Sequence, residues 1–165
     1  MGFARDSSGG IVIISSAHFA VHRGALFGLT DLVPDLDTAS QDYLIKTPDS
    51  ESIELHFQFS VESTGRCNVF IFEDTTVSAD GVLMTPYCKN RIKDTPPVGE
   101  FYKGPTVTDD GTQLFGRGAG SATVFPGSVR QDVEWIFKRN TNYMVRVTSL
   151  ANDVAFSIEM EYYEV

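Results

Sequence analysis

The chain has 165 residues, and its 22 Asp and Glu outweigh 13 Lys and Arg to give a formal charge of -9 and a pI near 4.7. That balance excludes, as a first reading, a nucleic-acid surface, which needs clustered cations for phosphate. An apolar fraction of 42% with twelve Phe suits one packed domain, while two cysteines are too few for a disulfide-framed scaffold.

Residues 1–16, MGFARDSSGGIVIISS, read as an N-terminal arm ahead of a single domain over 17–165. The Ser-Ser-Gly-Gly run is a flexible spacer, and the β-prone segment after it has no hairpin partner beside it. Two readings stay open: an edge strand of the domain's own sheet, or a strand that pairs with a neighbouring chain. Phe3, Ile11, Val12, Ile13 and Ile14 are accordingly contact candidates. The Ile11–Ile14 run is far shorter than a signal-peptide core of roughly 7–15 residues. No apolar stretch nears the roughly 20 residues that span a bilayer. The chain is thus expected to be made and used without crossing a membrane by a signal of its own.

Over 17–41 the stretch HFAVH reads as a strand ended by Gly24. Leu26, Phe27, Leu29, Leu32 and Val33 are apolar without a clean period, and Pro34 precludes a helix, so an irregular connection is expected there. The stretch 52–62, SIELHFQFSVE, is the clearest element: Ile53, Leu55, Phe57, Phe59 and Val61 alternate strictly with polar residues. Period two marks a half-buried strand. Residues 66–77 form a second strand, joined through Ser63–Gly65 as an expected hairpin. Val69–Phe72 is apolar on both faces and so predicts a strand covered on both sides.

Two segments then echo each other, TVSADGVLM at 76–84 and TVTDDGTQL at 106–114, each a strand–turn–strand unit around an Asp-Gly dipeptide. Neither offers the alternating ligands of a calcium loop. The stretch between them, 86–105, is rich in Pro and cations, and Lys89, Arg91, Lys93 and Lys103 make up the main basic cluster. Residues 116–128 are glycine-dense and read as a long loop. Strands follow at 133–137, at 143–148 with Tyr143, Val145 and Val147 inward, and at 156–163 with Phe156, Ile158, Met160 and Tyr162 inward. The expected fold is all-β, an antiparallel β-sandwich, jelly-roll-like, with an extended N-terminal arm.

No constellation carries chemistry. His18 and His22 have the i, i+4 spacing of a helical metal pair, but a strand would hold them about 13 Å apart. There is no G-x-S-x-G, no P-loop and no dinucleotide fingerprint, and neither cysteine sits in a nucleophile motif. Cys67 and Cys88 read as buried free thiols, with one bridge open on count alone. Glu54, Glu62, Glu159 and Glu161 are accounted for by strand alternation. Catalytic residues, metal ligands and cofactors are therefore expected to be none.

Taken in order, YLIKTP, IELHFQFSVE, FEDTTVSADG, PYCKNR, PTVTDDGTQL, EWIFKRNTNYMVRVT and EYYE resemble a group of tailed-bacteriophage virion proteins, the head decoration or cement proteins. The match runs from Tyr43 to Glu164 and departs from the usual pattern at 87–91, YCKNR. The resemblance implies a β-sandwich on the outer capsid surface of a virion assembled in a bacterial host. It implies the major capsid protein and the chain itself, as a trimer, for partners, and no catalytic residues. The alternative expectation is a receptor- or glycan-binding module of a head or tail fibre.

Overall fold

The computed structural model describes residues 4–5, 11–12, 16–93, 95–120, 127–130 and 133–165. Phe3, Ile13 and Ile14 lie outside them. The chain opens with β1 (Ala4–Arg5), β2 (Ile11–Val12) and α1 (Ser16–Arg23). There follow β3 (Leu26–Leu36), β4 (Ser40–Lys46), β5 (Leu55–Ser63), β6 (Cys67–Glu73), β7 (Thr76–Ala79), β8 (Val82–Met84) and β9 (Tyr87–Cys88). The remainder is β10 (Glu100–Lys103), β11 (Thr106–Asp109), β12 (Thr112–Ala119), β13 (Gly127–Arg130), β14 (Trp135–Phe137), β15 (Asn142–Ser149) and β16 (Val154–Glu164).

Two antiparallel sheets enclose one core. The first runs β13-β5-β16-β3-β9, with β14 also on β5, and the second runs β12-β6-β15-β4-β10-β8. β3 pairs β16, β4 pairs β15, β5 pairs β13 and β14, and β6 pairs β12, so successive pairs alternate between sheets. Side chains from both inner faces meet between the sheets: Leu55, Phe57, Phe59 and Val61 from β5, Tyr143, Val145 and Val147 from β15, and Phe156, Ile158, Met160 and Tyr162 from β16. The alternations read from sequence therefore place these residues correctly. Ile53 falls before β5 begins and is half-buried. Each core side chain contributes about 1.5–3 kcal/mol by leaving water.

Several expectations need correction. The strands β5 and β6 are no hairpin. They lie in different sheets, because both edges of β5 are taken by β16 and by β13 and β14, and the intervening turn crosses the sandwich. Thr64 N donates to Ala155 O, and Leu150 N to Arg66 O, which fixes that corner. The stretch 26–36, expected to be irregular, is the long strand β3. Its pairing with β16 shifts between Val33 and Leu36, a bulge at Pro34–Asp35. Beyond Gly28 no strand among the described residues pairs with the other edge of β3, where a proline's missing N–H is tolerated. Residues 116–119, expected to open the glycine-dense loop, instead end strand β12.

HFAVH is helix rather than strand. Gly24, with φ of 76°, ends α1: its N–H bonds Val21 O, and Ala25 N–H bonds Ala20 O, the paired closure that a left-handed residue permits. Ala20 is buried with Leu26 and Tyr163 on the outer face of the first sheet. Ile11–Val12 does find a local partner, Ala4–Arg5, and this short ribbon belongs to neither sheet.

The echoed segments form an arch. β6 pairs β12, β7 pairs β11 and β8 pairs β10, so 67–84 and 100–119 make one long ribbon. It enters the second sheet at one edge and rejoins it at the other, with β15 and β4 between. The Asp-Gly dipeptides are corners: at Gly81 a Cβ would meet Lys103 O at 2.4 Å, and at Gly111 it would meet Glu73 O at 2.1 Å. Leu44 and Met144 point away from the core, yet both are fully buried. The arch crosses that face and covers them.

Candidate contact surface

Where β8 ends one sheet and β9 ends the other, only residues 85–86 separate them, so the connection from β8 to β10 runs along a single flank of the sandwich. Eleven large apolar side chains are exposed among the described residues, and five of them, Val82, Leu83, Tyr87, Ile92 and Val98, lie on this connection. Ile92 is 98% exposed. Among the described residues no strand lies beside the outer edge of β8, which leaves backbone donors and acceptors open on an apolar rim.

The four cations expected to cluster here do not form one site. Lys89 reaches the outer face of the first sheet, where its Nζ pairs with Glu161 and lies 3.3 Å from Glu159 Oε1. Lys93 Nζ donates to Arg23 O at 3.1 Å, beside Asn90 Nδ2 on His22 O, and so holds the carbonyl end of α1. Lys103, on β10, pairs with Asp31 at 2.7 Å, and the same carboxylate accepts from Tyr43 Oη. Burial and that carboxylate push the Tyr43 phenol well above its usual range. Arg91 is exposed, and of the four it alone has no carboxylate partner among the described residues; its Nη1 bonds Cys88 O at 3.4 Å.

A polar group that sequence reasoning missed sits on the outer face of the first sheet. Pairing register sets Tyr163 opposite His56, and their rings stack at 4.5 Å. Glu134 bridges them: its Oε1 lies 3.1 Å from His56 Nδ1, and its Oε2 accepts from Tyr163 Oη. His56 Nε2 is buried without a hydrogen bond, 3.8 Å from Glu54 Oε2. The three side chains make one hydrogen-bonded carboxylate–imidazole–phenol group. The residues are 78 and 29 apart in sequence, and only the strand registers bring them together.

Cys67 and Cys88 are free and buried. Burial pushes the Cys67 thiol up, against the opposing effect of its hydrogen bond to Ser63 Oγ at 3.3 Å. A shallow depression of about 800 Å³ is lined by Asp49, Glu51, Glu54, Ile136, Lys138 and Asn140, among others. No helix among the described residues is long and apolar enough to cross a membrane. Comparison of the chain with models of known protein families and with characterised proteins finds no match to either.

Proposed function

We propose that the chain is a structural virion protein that binds the outer surface of a phage capsid and ties neighbouring capsid subunits together, acting as a trimer. The observation that carries this reading is the flank from Val82 to Val98, an open strand edge with five exposed apolar side chains on an otherwise acidic protein. Monomeric soluble proteins rarely leave large contiguous apolar patches in water, and those rimmed by polar residues mark interaction sites. The rest of the polar chemistry supports the same reading, since Lys89, Lys93, Lys103 and Arg146 are spent on internal bonds. The alternation of pairs between the sheets is the order obtained by rolling up an eight-strand ribbon. It is in keeping with a jelly roll, an architecture used by viral capsid domains and by lectins. The order of the sequence motifs over Tyr43–Glu164 adds to it.

The depression at Ile136 and Lys138, polar-walled over an apolar side chain, favours a second reading as a glycan-binding fibre module. Copy number separates the two. Undecorated capsids incubated with the protein and sedimented should carry it in hundreds of copies over the head, and Leu83→Glu with Ile92→Glu should release it. A few copies confined to one vertex would instead indicate a fibre, and no binding at all would overturn the capsid reading.

A further inference from the structure

The spacing of His18 and His22 has no part in the reading above, and the helix changes what it means. On a strand the two rings stand apart; on α1 they are one turn apart on one face. Their Nε2 atoms are 2.9 Å apart, and the ring centroids 4.6 Å apart. We propose that His18 and His22 form a bidentate site for a divalent transition-metal ion of the zinc, nickel or copper class.

The geometry carries the proposal. A metal–imidazole bond is about 2.0–2.1 Å, so two nitrogens stand about 2.9 Å apart at the right angles of copper and nickel, and about 3.4 Å apart at the tetrahedral angle of zinc. The rings already hold the first separation with both Nε2 atoms converging, and a small rotation of either ring reaches the second. Both residues are exposed, so an ion has access and water can fill its remaining positions. Imidazole pairs suit copper, nickel and zinc, whereas magnesium and calcium prefer oxygen. In the metal-free pair one Nε2 carries the hydrogen that the other accepts. On binding, that ring passes its proton through solvent to Nδ1, and both Nε2 lone pairs go to the ion.

The helix is also held in place before any ion arrives. Gly24 closes its carbonyl end, Asn90 and Lys93 bond the carbonyls of His22 and Arg23, and Ala20 packs against the sheet below. His22 lies in the last turn, where the helix dipole favours positive charge. Arg23, the nearest cation on the helix, lies over the Phe19 ring at 5.7 Å.

The test uses the full-length untagged protein, titrated with nickel, copper or zinc chloride and with magnesium chloride as control. Calorimetry should show one saturable ion per chain for the first three and none for magnesium. Thermal unfolding should shift upward with metal and return with a chelator. Losing even a partner that supports a ligand weakens metal binding about 10- to 100-fold, so His18→Ala and His22→Ala should each cost at least about that much. Binding that either substitution leaves intact, or no saturable binding at millimolar metal, would overturn the proposal. A measurement on the parent protein removes any dependence on how the variants fold. The chain has three histidines. Copper at substoichiometric levels should broaden the ring NMR signals of His18 and His22 before those of His56, and broadening at His56 first would refute the site.

Discussion

The arch over the second sheet rests on one side chain more than on any other, which makes Arg146→Ala an informative perturbation. From the outward face of β15, Arg146 holds Asp42 of β4 with two bonds, Nε–Oδ1 at 2.7 Å and Nη2–Oδ2 at 2.9 Å. Its Nη1 reaches Asp110, in the corner between β11 and β12, at 2.8 Å. Donation to the Asp42 carboxylate holds the guanidinium even more firmly charged than usual. Arg146 and Asp42 are only 20% and 15% exposed, whereas Asp110 is 46% exposed. Breaking a fully buried pair costs about 3–5 kcal/mol, and an exposed one about 0–1. For this part-buried clamp we expect a loss of about 2–3 kcal/mol. At 2–4 °C per kcal/mol, that is a fall in Tm of about 4–12 °C. Arg146→Lys keeps the charge without the fork and should lose about half as much. Urea unfolding gives the total, and amide exchange gives its location, because protection in β7 and β11 should fall before that in β5 or β16. An Arg146→Ala protein within about 0.5 kcal/mol of the parent, or one with unchanged exchange in β7 and β11, would refute the clamp.

On β5, Phe57→Asp puts a carboxylate among the rings of Phe59, Phe101 and Phe137 and should abolish soluble folded protein, while Gln58→Asp on the opposite face should remain soluble; expression and circular dichroism distinguish them. The Lys138 ammonium, with Tyr143 Oη, holds the Glu73 carboxyl below its usual range, so its stabilising contribution is present above the ordinary carboxylate pKa and is lost as pH falls through the folded value. Burial raises Glu164 despite bonds from the Gly99 and Val98 amides, so its contribution has the opposite sign, fullest at low pH and lost as pH rises through the folded value. Urea midpoints from about pH 3 to 7 should show Glu73→Gln flattening the acid limb and Glu164→Gln flattening the upper one. Removing residues 2–15 takes away no strand of either sheet, so the Tm should hold while capsid co-sedimentation weakens; unchanged co-sedimentation would place attachment on the sandwich alone.

What could be read from sequence followed the number of faces each element buries. β5 buries one face only, and β15 and β16 bury little beyond Met144 and Tyr163 on the other, so their period-two patterns name the inward side chains. β3 defeats that reading because Leu26 is buried outward beneath α1 while Phe27 and Leu29 are buried inward, and the bulge at Pro34 then resets the phase. In HFAVH the alternation is accidental. The stop signals of a helix were present in His22, Arg23 and Gly24, but eight residues are too few for a 3.6-residue period to stand out. His56 looked like a polar residue on a wet face, yet register with β14 and β16 surrounds it with Glu134 and Tyr163. An acidic substitution there would meet two carboxylates, which alternation alone could not show. The basic cluster dissolved for a related reason, since the carboxylates that claim Lys89 and Lys103 are distant in sequence: Glu161 is on β16, and Asp31 is on β3, in the sheet opposite β10.

The arch and the apolar flank are parts of one ribbon, and this ties stiffness to adhesion. β8 touches its sheet only through β10, and β10 only through β4. Between β6 and β8 the chain is held by Lys46 on Asp80 at one corner, while Arg146 on Asp110 holds the other strand of the ribbon at its opposite corner. Leu44 and Met144 beneath them supply the apolar seat. A strand edge that must present Val82 and Leu83 to a partner cannot itself contribute much to the core, so its position has to be set from elsewhere. Two near-copies of one sequence, each turning at Asp-Gly and each placing an aspartate on a cation of the sheet, perform that task from both ends. The echo in the sequence thus supplies an anchor at each corner of the ribbon whose strand β8 is paired on one side, with β10.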